Sequence, residues 1–66
     1  ADLDAWPVAD IALQEGMKIL KSLDMRPDVK TMETMGEPWR PFRGVGALIL
    51  WHIYGSHKRK ATIADI

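Results

Sequence analysis

The chain has no cysteine, so neither a disulfide nor a thiolate-rich metal site holds it together. Its two histidines, His52 and His57, do not make a closed zinc site without thiolate ligands. The longest apolar run, residues 45–54, is far shorter than the roughly 20 residues that a membrane span needs. The acidic beginning of the chain lacks the positive segment of a signal peptide. We therefore expect no bound metal, no membrane association and no secretion.

The chain is short for the apolar content that it carries. It has 66 residues, of which 47% are hydrophobic and 3 are tryptophan, and this composition excludes intrinsic disorder. Without a disulfide or a metal, so small a core rarely contributes more than about 3–5 kcal/mol to stability. We expect part of the core to lie outside the chain, in the rest of a larger protein or in an obligate partner.

Charge is unevenly distributed along a chain whose net charge is zero. Residues 1–33 carry 4 basic and 7 acidic side chains, whereas residues 34–66 carry 5 and 2, so the halves have net charges of −3 and +3. A basic second half is typical of a phosphate-binding surface. Three of its charges form the run 58–60, which is equally typical of a solvated tail.

Apolar spacing and capping residues predict two helices in the first half. The first begins after Asp10, a good N-cap residue, and its apolar positions recur every three or four residues as far as Leu23. The second begins at Pro27 and stops at Gly36, just before Pro38. The polar face of the first helix is expected to hold Gln14, Glu15, Lys18 and Lys21.

A third helix, apolar on nearly all sides, is expected from Pro41 to Gly55 and Ser56. An all-round apolar helix is a buried one, and two short neighbours cannot cover it. Two glycines in its first half, Gly44 and Gly46, are expected where another backbone comes close. The fold class is therefore all-α. Its helical unit is predicted to be residues 1–56, with residues 57–66 as a tail.

Two side chains are candidates for chemistry. A carboxylate at a helix start, as at Asp10, suits the stabilisation of a developing cation or the activation of water, but it also suits a plain N-cap. Trp51 suits a stacking wall for a flat, cationic ligand, but it also suits the core. Trp6 and Trp39, beside prolines, are expected to pack loops against the core. The residues alone leave these alternatives open.

Arg40 and Arg43 are expected to contact phosphate or helix-end carbonyls, or else to remain solvated. No glycine-rich phosphate loop, nucleophile elbow or kinase signature is present. The residues considered one by one therefore indicate a helical chain without a recognised catalytic motif.

Two longer segments of the sequence are more informative about a protein family than the single residues are. Residues 6–15 read Trp-Pro-Val-Ala-Asp-Ile-Ala-Leu-Gln-Glu, and residues 39–51 read Trp-Arg-Pro-Phe-Arg-Gly-Val-Gly-Ala-Leu-Ile-Leu-Trp. Together they resemble the C-terminal part of the helix-hairpin-helix DNA glycosylases, in the branch of DNA-3-methyladenine glycosylase II. The resemblance covers residues 6–55 and implies that the chain is the three-helix C-terminal portion of that all-α fold.

The resemblance also implies a site and a reaction. Asp10 matches the catalytic aspartate of the family, and Trp51 matches a tryptophan that lines the base pocket. The expected reaction is hydrolysis of the N-glycosidic bond of alkylated purines such as 3-methyladenine, without a cofactor. The expected partners are double-stranded DNA with a damaged base and the remaining N-terminal part of the same protein, which carries the DNA-gripping hairpin. The isolated chain is expected to be inactive.

The same resemblance implies a cytoplasmic protein of the bacterial nucleoid, or a nuclear one. Two other functions remain open at this point. One is a glycosylase for oxidised or mismatched bases, which a lysine after the hairpin would favour. The other is a helical interaction module without enzyme activity, which would dock through its apolar third helix. The DNA-binding residues are not identified by the sequence.

Overall fold

The computed structural model describes residues 2–64, with side chains described as far as residue 60. It contains three α-helices, α1 (Ile11–Lys21), α2 (Val29–Gly36) and α3 (Arg43–Ala64), and a 3-10 turn at Glu37–Trp39. No strand occurs in residues 2–64, and the prediction of an all-α fold is confirmed. None of the helices in this range is both long and apolar enough to cross a membrane.

The two shorter helices begin and end at residues that satisfy their backbone. α1 ends at Lys21, before the predicted Leu23, because Ser22 adopts a left-handed conformation (φ 53°, ψ 46°). α2 begins at Val29 and not at Pro27, because the Asp28 carboxylate caps it. It ends at Gly36, as predicted.

α3 is longer at its C-terminal end than the sequence indicated. It runs through Gly55 and Ser56 to Ala64, so the predicted end at those two residues is wrong, and residues 57–64 are helical. A glycine inside a helix costs only about 1 kcal/mol relative to alanine, and no proline follows to stop the helix. The Lys58 ammonium also lies 6.0 Å from the centre of the Tyr54 ring, one turn back.

The core lies where α1 crosses α3. Its fully buried members come from all three helices and are Leu13, Met17, Met32, Ala47 and Leu50. At the crossing, a Cβ atom added to Gly16 would collide with the backbone carbonyl of Leu50. The absence of a side chain at Gly16 therefore lets the two helices approach closely.

The glycines of α3 serve different neighbours. The Gly44 amide donates a hydrogen bond to the Leu3 carbonyl over 2.7 Å, so the predicted close backbone approach is confirmed there. Gly46 instead faces the ring of Trp39, and the prediction of a backbone neighbour is wrong at that position. The Trp39 ring occupies the space that a side chain at position 46 would fill.

The first residues of the chain are fastened to the start of α3 by Asp4. The Arg43 guanidinium donates from Nε to Asp4 Oδ1 and from Nη2 to Oδ2, both over 2.8 Å. The Arg43 amide also donates to Oδ1, over 3.1 Å, so Asp4 caps α3 from a distant part of the chain. Arg43 is therefore neither solvated nor bound to a helix-end carbonyl. Its hydrogen bonds are the main cause that lowers the pKa of Asp4 to about 2.

Trp6, before α1, and Trp39, in the 3-10 turn, pack their loops against the core, as predicted. The rings of Trp6 and Trp39 meet edge to face, with centres 5.4 Å apart. The Trp6 indole N–H donates to the Met32 carbonyl over 2.8 Å, and its ring lies against Gly36, where a Cβ would collide with it. The beginning of the chain, the end of α2 and the 3-10 turn are thereby held as one unit.

We expect Gly16→Ala to lower the free energy of unfolding by about 1–3 kcal/mol, because the new methyl group overpacks the helix crossing. Gly55→Ala is the matched control: it lies in α3, and among the described side chains and other parts of the chain only Arg59 Nη1 comes near its added Cβ, at an ordinary 3.4 Å. It should stabilise the chain by about 0.5–1 kcal/mol through helix propensity. Urea unfolding measures both, and equal effects would contradict the close crossing.

The Asp4–Arg43 pair predicts a defined acid dependence. The folded pKa of Asp4 is about 2, below its ordinary 3.8. The stabilisation by the ionised carboxylate is therefore complete above about pH 4 and is lost as the pH falls through about 2. In urea unfolding, the stability difference between the wild type and Asp4→Asn should shrink from pH 5 to pH 2. If the stability difference between the two proteins is the same at pH 5 and pH 2, the ionised Asp4–Arg43 pair is not its cause.

Candidate functional site

Asp10 caps α1, and the cap leaves half of its carboxylate available. Oδ1 accepts the Leu13 amide hydrogen over 2.9 Å, as expected of an N-cap. The Asp10 amide donates to the Pro7 carbonyl over 3.0 Å. Oδ2 takes part in no hydrogen bond within residues 2–64. The carboxylate is thus held at a fixed place, with one oxygen available to a ligand or a water molecule.

Gln14 holds the segment before Asp10 against α1. Its side chain is only 7% exposed, and Nε2 donates to the Val8 carbonyl over 2.7 Å. The prediction that Gln14 belongs to the polar face is therefore wrong. The Gln14 side-chain amide can be buried because it donates a hydrogen bond to a backbone carbonyl of the segment before α1. Periodicity cannot show this, since it does not tell where a loop places its backbone groups.

Trp51 stands at the edge of the core and not inside it. Its side chain is 37% exposed, so the alternative of a buried core residue is excluded. It borders an open depression of about 420 Å³, which we call the Trp51 depression. The other residues that line it are Asp2, Ala5, Trp6, Pro7, Gly44 and Ala47.

Pro7 links the Trp51 depression to the segment that ends at Asp10. Pro7 lines the depression, and its carbonyl accepts the hydrogen bond from the Asp10 amide. Asp10 does not line the depression itself. The two predicted site residues are therefore not in one depression, although the backbone between them is continuous through Pro7.

A second, apolar groove of about 300 Å³ lies on another part of α3. We call it the apolar groove, and it is lined by Leu20, Trp39, Phe42, Val45, Gly46 and Ile49. Several of these side chains are exposed, Phe42 among them. In the part of the chain that the structure describes, no group of three or more His, Asp or Glu side chains is placed to hold a metal ion.

The cap predicts how substitutions at Asp10 affect stability. Asp10→Ala removes the acceptor for the Leu13 amide and should cost about 1 kcal/mol, within the usual range of about 0.5–2. Asp10→Asn keeps an oxygen at that place and should be nearly neutral, since Asn is as good a cap as Asp. Urea unfolding of the two variants checks this, and losses of equal size would mean that Asp10 is no cap in solution.

Taken together, the chain offers a carboxylate held by a helix cap and, beyond Pro7, a partly exposed indole that borders a depression. A carboxylate stabilises positive charge, and an indole ring attracts a cation to its face. The arrangement is therefore suited to a flat ligand that carries or develops positive charge. Comparison of the chain with protein-family models, with curated proteins and with solved structures found no match.

Proposed function

We propose that the chain is the C-terminal part of a DNA glycosylase that hydrolyses the N-glycosidic bond of alkylated purines, such as 3-methyladenine, in duplex DNA. The observation that carries the proposal is that Pro7 joins the Trp51 depression to the Asp10 cap. Trp51 and Pro7 line one depression, and Pro7 binds the amide of the Asp10 cap. The resemblance of residues 6–15 and 39–51 to this family supports the same assignment.

The proposed chemistry uses the two side chains in turn. The enzyme extrudes the damaged nucleotide from the duplex, and the cationic purine stacks on the exposed face of Trp51. The carbon–nitrogen bond then breaks, and its electron pair leaves with the purine, which becomes neutral. Positive charge remains on the sugar. The Asp10 carboxylate stabilises that charge while a water oxygen bonds to the sugar carbon. The attacking water then releases one proton to the solvent, which leaves a neutral sugar, and no cofactor is required.

The cap gives Asp10 a property that such a catalyst needs. Because Oδ1 is already bonded to the Leu13 amide, the carboxylate does not have to reorganise when the sugar becomes charged. Oδ2 is the oxygen left to face the reaction. The capping function and the catalytic function are therefore compatible in one side chain, and the cap makes the catalyst rigid.

The proposal includes the N-terminal, hairpin-bearing part of the same protein as a partner. The apolar groove and its exposed Phe42 are surfaces that further helices of such a protein would cover. The hairpin-bearing part would supply most of the DNA contacts, so the 66-residue chain alone should release no base. We place the complete enzyme with the DNA, in the bacterial nucleoid or in the nucleus.

One alternative has an observation in its favour. The exposed apolar side chains of α3, including Leu48 and Ile49, also suit a helical interaction module without enzyme activity. A glycosylase for oxidised or mismatched bases is the related enzyme alternative. It differs in its substrate and in a lysine after the hairpin.

Release of bases from methylated duplex DNA tests the proposal, with the chain joined to its hairpin-bearing part. Asp10→Asn should lower the rate of release about 10²–10³-fold, because it keeps the cap and removes the charge. Trp51→Ala should weaken the use of cationic bases more than Trp51→Phe does, since phenylalanine keeps a ring for stacking.

Three outcomes of this assay contradict the proposal. These are no release of base by the wild type, release by Asp10→Asn at the wild-type rate, and release of oxidised and mismatched bases only. The first points to the interaction module. The second keeps the enzyme class and removes Asp10 as its catalyst. The third keeps the enzyme class and changes its substrate. Far-UV circular dichroism of each variant separates a loss of chemistry from a loss of helix.

A further inference from the structure

The C-terminal turns of α3 form a basic surface that the proposed chemistry does not use. Along its whole length, Arg43–Ala64, the helix contains no acidic residue. The positive side chains near its end are Lys58, Arg59 and Lys60, preceded by His57. Because these residues are helical and not an irregular tail, their side chains project from a rigid rod at fixed angles.

Arg59 lies on the same face of α3 as Trp51. The two residues are eight positions apart, which is about 12 Å along a helix, and Gly55 stands midway on that face. The Arg59 guanidinium reaches back over Gly55, where Nη1 would be 3.4 Å from an added Cβ. It is therefore directed along the helix towards Trp51, in the direction that long helical side chains favour.

Lys60 borders a group of hydrogen-bond donors on an adjoining face. An open depression of about 250 Å³ between α1 and α3 is lined by Ile19, His52, Ile53, Ser56, His57 and Lys60. The imidazole, hydroxyl and ammonium groups among these are of the kinds that donate to phosphate oxygens. Within the described residues, neither Arg59 nor Lys60 lies within ion-pair distance of a carboxylate.

The three arginines in the rest of the chain, in contrast, are all ion-paired. Arg26 pairs with Glu15 at 3.6 Å, Arg40 pairs with Glu37 at 2.9 Å, and Arg43 is bound by Asp4. Those charges are already engaged in holding the fold together. The lysines of α1 and α2, which are Lys18, Lys21 and Lys30, also have no ion pair within the described residues, but each of these helices carries a glutamate as well. Helix α3 carries no acidic residue, so its C-terminal end has the densest positive charge that no acidic neighbour on the same helix offsets.

We propose that Arg59 and Lys60, at the C-terminal end of α3, bind the phosphate backbone of duplex DNA beside the Trp51 depression. Residues 55–60 are polar on every side, so they offer no apolar face to insert into a lipid surface. The choice of DNA among polyanions rests on the proposed function. The phosphate contact itself requires no damaged base and no catalysis by Asp10.

The test is binding of the 66-residue chain to an undamaged duplex, followed by fluorescence anisotropy between about 50 and 200 mM salt. R59Q/K60Q should weaken binding about tenfold and reduce the slope of log K against log salt by about 1.8, the value for two lost phosphate contacts. R26Q/K30Q is the matched control. It removes the same residue types and the same charge from the acidic half, and it should leave the slope unchanged.

A further variant makes each result decisive. R59K/K60R keeps both charges and should bind like the wild type, which guards against a loss of helix in R59Q/K60Q. The duplex in this test carries no damaged base, so binding reports the phosphate contact and not the chemistry at Asp10, and a glycosylase assay that fails does not by itself remove the phosphate contact. The proposal is overturned if the wild type does not bind DNA, if R26Q/K30Q weakens binding as much as R59Q/K60Q, or if vesicles of anionic lipid are bound more tightly than DNA.

Discussion

The close crossing of α1 and α3 at Gly16 sets the position of everything else in the chain. Only glycine lets the Leu50 backbone approach α1 so closely, and Leu50 is itself a member of the core. One residue after Leu50 stands Trp51, so the crossing also determines where the indole is presented. The start of α1, and with it the Asp10 cap, is fixed relative to α3 by the same contact. The proposed chemistry therefore depends on a helix packing distance that one methyl group would change.

The core around this crossing is small, and polar contacts extend it. Five residues are fully buried apolar members, and Trp6 and Trp39 add aromatic surface beside them. Gln14 then binds the Val8 carbonyl in the segment before α1, and Asp4 binds the Arg43 amide at the start of α3. A chain without disulfides thus uses side-chain hydrogen bonds to hold its loops, while several large apolar side chains stay exposed.

Much of this arrangement follows from the sequence by simple rules. The Asp10 cap and the end of α2 at Gly36 depend on local chemistry that can be read from neighbouring residues. The two tryptophans were predicted to pack loops against the core because they stand beside prolines, but their contact partners are distant in sequence. The pair Asp4–Arg43 could not be predicted, because 39 positions separate its members and no periodicity links them. The continuation of α3 beyond Ser56 was missed for the opposite reason. Glycine and serine read as local stop signals, but their cost is small beside that of a proline, and no capping interaction ends the helix there.

The Asp4–Arg43 contact has a consequence for how the depression opens. Trp6 and Pro7, which form one side of it, belong to a segment whose ties are the Asp4 carboxylate, the Gly44–Leu3 hydrogen bond and the Trp6 indole. None of these ties belongs to the regular hydrogen bonding of a helix. The first residues can therefore separate as a unit while α1 and α3 stay packed, at a free energy below that of global unfolding. Amide exchange at Gly44 should then be faster than at Leu50, and the Trp6–Pro7 side of the depression is the side expected to open first.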